Sequence, residues 1–247
     1  MNRYTSAMGM EINVKTIGVA LCLLLVAAAS AQDAAPADPV APAEMPAPEV
    51  AADPVAAEAP SPIPAVVPVV LETALGSIRI EVEIERAPAT AANFLRYVDN
   101  KRFDGITWYR AMKLDAEGRY GLVQAGLRGD RKRLFKPIAH ESPLVTGLSH
   151  VDGTVSMARL APGTATADFF VVIGDLVSLD GKPDSDDPGY AVFGRVTEGM
   201  DIIRQMLDLP RDPNAGEAVM RGQMLAQPVR IVTVRRAPPS VDPAGSP

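Results

Sequence analysis

The chain has 247 residues, 24 Lys+Arg against 30 Asp+Glu for a net charge of −6, and one cysteine. Residues 69–236 carry 22 charges of each sign, so the excess acid sits in the flanks (2 − 8 = −6). The central segment is neutral and gives no electrostatic reason to bind nucleic acid or anionic lipid.

Arg3 and Lys15 are the only basic residues ahead of an apolar run over 17–29, and Ala29-Ser30-Ala31 follows as a small-x-small site. This predicts a signal peptide over 1–31, cleaved before Gln32, and export to a periplasm or cell envelope. An uncleaved membrane anchor is the alternative, for which the run is shorter than the ~20 residues a span needs. Cys22 lies inside the run, so the mature chain would lack disulfides, thiol catalysis and cysteine-ligated zinc. Residues 32–68 hold 12 alanines and 10 prolines among 37 positions, without an aromatic or a glycine. Such a stretch buries little and predicts a disordered, extended linker. Residues 237–247 read as a second disordered tail.

From residue 69 short strands alternate with turns. In 77–84, Ile78, Ile80, Val82 and Ile84 interleave with Arg79, Glu81 and Glu83, the period of two of a half-buried strand. It pairs with 69–73 through Ala74-Leu75-Gly76 as a hairpin. Pro88 opens a helix whose Ala91, Phe94, Leu95 and Val98 share one face, and Asp99-Asn100 ends it. Further strands are expected over 106–112, 120–125, 153–159, 168–173, 191–196 and 229–235, with a second helix over 200–207. Eight strands and two helices without βαβ alternation predict a mainly β fold: a closed eight-stranded antiparallel β-barrel capped by two α-helices.

The segment FDGITWYRAMKLDAEGRYGLVQ, residues 103–124, sets Arg110 and Gln124 on two apolar strands. No acid, histidine or cysteine there is suited to proton or acyl chemistry. Rotation of an X-Pro peptide bond needs none, because it crosses a barrier of roughly 18–20 kcal/mol without making or breaking a bond. No metal site is expected: His140 and His150 lack ligand spacing. The acidic run 180–187 fails as a calcium loop, since Arg195 stands where a glutamate is needed. Ser149-His150 is not a nucleophile–base pair by adjacency alone.

Residues 69–236 resemble the cyclophilins, the barrel-shaped peptidyl-prolyl cis-trans isomerases. The resemblance rests on APATAANF, FDGITWYRAM, GLVQAG, SMAR, ADFF, LDG and GYAVFGRVTEG, in that order. It implies Arg110 and Gln124 as catalytic residues. Leu122, Ala158, Phe170, Leu179 and Tyr190 are implied as substrate-binding residues, with Phe170 the floor of a proline pocket. It also implies no cofactor, proline-containing segments of unfolded or exported proteins as partners, and a monomer. The function implied is X-Pro isomerisation assisting the folding of exported proteins; a peptide-binding or chaperone module with little catalysis is the alternative. Phe169 and Phe170, adjacent on a strand, should point to opposite faces, one filling the barrel and the other lining the pocket. The chain departs from the family pattern in several places. WYR replaces the commoner phenylalanine-histidine-arginine, and the connection from Arg110 to Gln124 is longer. Gly121 replaces a pocket phenylalanine, with Tyr120 as its candidate substitute. Arg159 and Asp168 stand where asparagine and glutamine are common.

Overall fold

The computed structural model describes residues 65–238. The leader expected over 1–31, the linker up to residue 64 and the tail from residue 239 lie outside the described residues.

Strands β1 (Val66–Thr73) and β2 (Gly76–Glu83) form the expected hairpin, and Ile78, Ile80 and Val82 are all buried. β1 begins three residues earlier than the composition suggested, with Val66, Val67 and Pro68 paired to Glu83, Val82 and Glu81. The valines are β-branched and suit a pleated surface. Pro68 is tolerated because it precedes Val69, where the second neighbouring strand starts to pair.

Helix α1 (Pro88–Asp99) starts on its proline and buries Ala91, Phe94, Leu95 and Val98. Its first turn is satisfied from a distance, as the Glu141 carboxylate accepts from Ala89 N (2.9 Å) and Thr90 N (2.7 Å). A carboxylate there also suits the positive end of the helix dipole.

The remaining elements are β3 (Thr107–Lys113), β4 (Gly121–Gly126), α2 (Pro143–Thr146), β5 (Thr154–Met157), β6 (Phe169–Ile173), β7 (Val192–Glu198), α3 (Met200–Asp208), β8 (Arg211–Asp212) and β9 (Met224–Arg236). Every pairing is antiparallel, in the order β1-β2-β7-β5-β6-β4-β3-β9, and β9 returns to β1 to close an eight-stranded barrel. The two-residue β8 hangs on the start of β9. The single-turn α2 was too short to show a helical period. It is marked instead by Ser142, whose Oγ accepts from Leu144 N at 3.2 Å, and by left-handed Gly147.

The barrel interior is filled around Phe94, Phe103, Trp108, Phe169 and Phe193, with Phe94 and Phe169 meeting edge to face at 5.4 Å. Helix α3 adds Ile203, Met206 and Leu207 to the same core. β9 runs five residues further upstream than its expected start at 229. Exposed Ala226, Gln227 and Pro228 interrupt its apolar alternation, which conceals the first half in the sequence.

Candidate active site

A second, smaller apolar cluster lies apart from the barrel core. It consists of Leu122, Phe170, Val172 and Leu176, with Met112, Ala158, Leu179 and Tyr190 packed against it. Alternation along two strands creates it. On β6, Phe169, Val171 and Ile173 enter the core while Phe170 and Val172 face the other way. On β4, Val123 and Ala125 face in, and Leu122 shares the outer cluster.

Strand register aligns the polar residues with this cluster. Arg110 on β3 is opposite Gln124 on β4, Gln124 is opposite Phe170 on β6, and Arg110 also faces Met224 on β9. One transverse row therefore crosses four strands of the outer wall. The row depends on a β-bulge. Trp108 pairs with Ala125 and Arg110 with Gln124, so Tyr109 is one residue more on β3 than β4 can match. The extra residue reverses the alternation, letting Tyr109 and Arg110 both face the groove while Trp108 and Ala111 stay in the core.

The guanidinium of Arg110 is held on several sides. Its Nε and Nη2 both donate to Gln223 Oε1, at 2.8 and 2.6 Å, and Nη1 donates to Gln124 Oε1 at 2.7 Å. Nη2 also meets Met112 Sδ at 3.5 Å. Gln124 passes the network on, its Nε2 donating to Tyr109 Oη at 2.6 Å, and Tyr109 Oη lies 3.4 Å from Asp168 Oδ1. The same Asp168 oxygen accepts from Arg128 N at 3.0 Å. Four of the five guanidinium N–H groups thus have partners among the described residues, and the fifth, on Nη1, has none.

Burial sets the electrostatics. It lowers the pKa of Arg110 from its ordinary value, opposed by the nearby Tyr109 and Tyr190 hydroxyls. It pushes the Tyr109 hydroxyl well above the usual tyrosine value, with the Asp168 charge adding to the shift. The Asp168 carboxyl is raised by burial as well, against the bonds from Arg128 N and Tyr109.

All seven residues singled out in the sequence line one groove of about 690 Å³: Arg110, Leu122, Gln124, Ala158, Phe170, Leu179 and Tyr190. Phe170 forms its floor, with Tyr190 edge-on at 5.6 Å and His150 stacked behind at 6.1 Å. His150 is fully buried, its Nδ1 2.5 Å from Asp180 Oδ1 and its Nε2 3.0 Å from Ser156 Oγ. Ser156, itself buried, and His150 support the floor without reaching the groove. Arg159 leans over the Tyr190 ring at 4.7 Å and donates from Nε to Gly189 O at 3.1 Å.

Tyr120 does not replace the pocket phenylalanine: its side chain is 42% exposed and lies outside the groove. Gly121 is required by backbone packing, because a Cβ there would overlap Met112 O on the paired strand. Met112, Met220 and Met224 line the groove in its place. Met220 and Gln223 come from the segment leading into β9 and Met224 is that strand's first residue, a stretch where the sequence offers no periodicity. Tyr109 was legible only as a departure from the family triplet.

Comparison with known proteins agrees with this geometry. The family described as "Cyclophilin type peptidyl-prolyl cis-trans isomerase/CLD" matches residues 68–236. A peptidyl-prolyl cis-trans isomerase of Acinetobacter baylyi is 32% identical over 169 residues, covering 67% of this chain and 82% of that protein. One from Streptomyces antibioticus is 36% identical over 137 residues, 54% of this chain and 78% of that one. In fold, the chain is similar to the crystal structure of a Cryptosporidium parvum cyclophilin-type isomerase. The TM-score is 0.53 at 18% identity, over 70% of this chain and 98% of that one. A family match over residues 68–236 and a relative 32% identical across most of its own length, on a closed eight-stranded barrel, identify this chain as a member of the cyclophilin-type peptidyl-prolyl cis-trans isomerases.

Proposed function

We propose that the groove binds a proline-containing segment of an unfolded or exported protein, with the proline ring over Phe170 and Arg110 acting on the prolyl nitrogen. The observation that carries this reading is the juxtaposition of a partly buried cation with a ring-sized apolar floor in one row of the outer wall. A structure of the Cryptosporidium parvum protein in the presence of the dipeptide Ala-Pro supports the ligand class.

The chemistry follows from the amide. In the planar ground state the prolyl nitrogen's lone pair is delocalised into the carbonyl, and the nitrogen accepts hydrogen bonds poorly. Near ninety degrees of twist conjugation is lost and the nitrogen becomes basic. The unpartnered Nη1–H of Arg110 then donates a bond that is strongest at the top of the barrier, which is differential transition-state binding. Arginine suits this task because it keeps its charge and presents donors in a rigid fork. Leu122, Leu179 and Phe170 hold the ring, and Gln124 orients the guanidinium. A reduction of ~6–7 kcal/mol would bring a process of tens of seconds into milliseconds or faster.

The setting we propose is the periplasm or envelope of a bacterium, where the isomerase, exported through its leader, assists folding of other exported chains as a monomer. The supporting feature is the apolar run 17–29 with its small-residue site. Isomerisation kinetics of an Ala-Pro peptide with the full-length protein test the site assignment. Arg110→Ala should lower kcat/KM by about 10²–10³-fold, the range for removal of one transition-state donor. Equal rates for variant and parent would leave Arg110 a structural residue and favour peptide binding as the groove's main task.

A further inference from the structure

We infer that Gln223 is a positioning residue: a neutral clamp that fixes the Arg110 guanidinium from the side opposite Gln124 without neutralising its charge. The inference rests on Arg110 acting as proposed above.

The geometry is specific. One amide oxygen, with two lone pairs, receives both N–H groups of the Nε–Nη2 edge, at 2.8 and 2.6 Å. The orientation of that amide is set by its other end, since Gln223 Nε2 donates to Val219 O at 2.8 Å. A reversed amide would lose that bond and point its own donors at a cation.

The backbone of Gln223 is fixed to the same strand as its target. Ala111 N, the residue after Arg110, donates to Gln223 O at 2.9 Å. The loop behind it is internally closed: Gln223 N donates to Met220 O at 3.1 Å and Gly222 N to Ala215 O at 2.9 Å. Gln223 therefore stands at the joint between a hydrogen-bonded loop and β9. The loop also carries Glu217 and Met220 to the edge of the groove.

The chemical identity of the clamp matters as much as its place. A carboxylate at the same position would hold the guanidinium equally well, but as an ion pair that diminishes the charge offered to the twisted amide. The four bonds from Arg110 end on three uncharged acceptor atoms, Gln223 Oε1, Gln124 Oε1 and Met112 Sδ. With one side held by Gln124 and the opposite edge by Gln223, the Nη1–H has a single direction.

The test is Gln223→Leu, close in size and unable to accept a hydrogen bond, assayed in the full-length protein beside Arg110→Ala. The expected result is a kcat about tenfold lower with KM within about twofold, since the clamp contributes to the transition state and not to ground-state binding. In the same variant the Arg110 Nε–H resonance should exchange with water faster than in the parent, a change that general loosening of the loop does not require. Parental kcat in Gln223→Leu, with Arg110→Ala inactive, overturns the clamp and leaves the arginine's role standing. An active Arg110→Ala overturns both. Should Gln223→Leu fail to fold, the parent protein decides alone: a slowly exchanging Arg110 Nε–H supports the clamp, and one exchanging at the rate of a free arginine refutes it.

Discussion

The Tyr109 hydroxyl connects Gln124 to Asp168, accepting from Gln124 Nε2 at 2.6 Å and facing Asp168 Oδ1 at 3.4 Å. This orients the Gln124 amide, so that its oxygen is the end turned to Arg110 Nη1. Tyr109→Phe leaves Gln124 Nε2 without its acceptor in a buried site, a loss of about 1 kcal/mol or more. We expect kcat/KM for an Ala-Pro peptide to fall several-fold, with the melting temperature lowered by about 2–4 °C. Activity equal to that of the parent would show that Gln124 is held by other means.

Trp108 occupies the core position immediately before the bulge. Its ring is 0% exposed, it meets Phe169 edge-on at 5.5 Å, and its Nε1 has no hydrogen-bond partner among the described residues. Trp108→Ala opens a cavity and should cost about 3–5 kcal/mol in urea unfolding. Trp108→Phe removes the unpaired N–H along with one ring, so the two effects oppose each other. A much smaller loss is expected there, under about half that of the alanine variant.

Gly126 ends β4 beside Asp168. Its φ is +147°, and a Cβ would overlap Asp168 Oδ1 and come within 2.5 Å of Asp168 Cα. Gly126→Ala must displace the carboxylate that Tyr109 and Arg128 N share. Both a lower melting temperature, by several degrees, and reduced kcat/KM are expected together. Loss of stability with unchanged kinetics would separate Asp168 from the active-site network.

Titration should affect stability and activity in different pH ranges. Burial holds the His150 pKa below its ordinary value, against the pull of Asp180. The unfolded chain therefore takes up a proton near pH 6.5 that the folded chain resists. Stability from this group is complete above about pH 6.5 and declines as pH falls toward the folded value, by at most ~1.4 kcal/mol per pH unit. Melting temperatures measured from about pH 7 down to 5 should show the decline, and His150→Asn should flatten it. Asp99 and Asp104, lowered chiefly by their bonds to Arg236 and Arg235, act in a separate and more acid window.

Activity should be nearly level between about pH 6 and 9, because no proposed group gives or takes a proton in the reaction. Tyr109 is pushed up and stays protonated through this range. Burial moves Arg110 down and Asp168 up, so these are the groups that would first limit the level region, at its alkaline and its acid edge respectively. A bell-shaped kcat profile centred near neutrality would point to a titrating participant outside this set.

Much of this arrangement can be read from the sequence, and the unread parts share a cause. The alternation of Ile78, Ile80 and Val82 dictates a half-buried strand, and adjacent Phe169 and Phe170 must take opposite faces. Period-two reasoning stops at a bulge: in WYRA the core residues are Trp108 and Ala111, three apart, which strict alternation does not allow. It also stops at Ala226, Gln227 and Pro228, whose exposure hides the first half of β9. Gln223 lies beyond that break, 113 positions from Arg110, and the pairing of β3 with β9 brings the two together. The glycine at 121 illustrates a further limit, because its cause is the carbonyl of a residue on a neighbouring strand.

The opposed directions of Phe169 and Phe170 have a wider consequence. One aromatic belongs to the interior that keeps the molecule folded, and its immediate neighbour belongs to the groove on the outer wall. Groove residues therefore lie outside the barrel core, so the lining of such a groove can diverge while the interior that fixes the architecture stays the same. An outward-facing workplace also never requires a chain end to be threaded inside, which leaves prolines in the middle of a long polypeptide within reach.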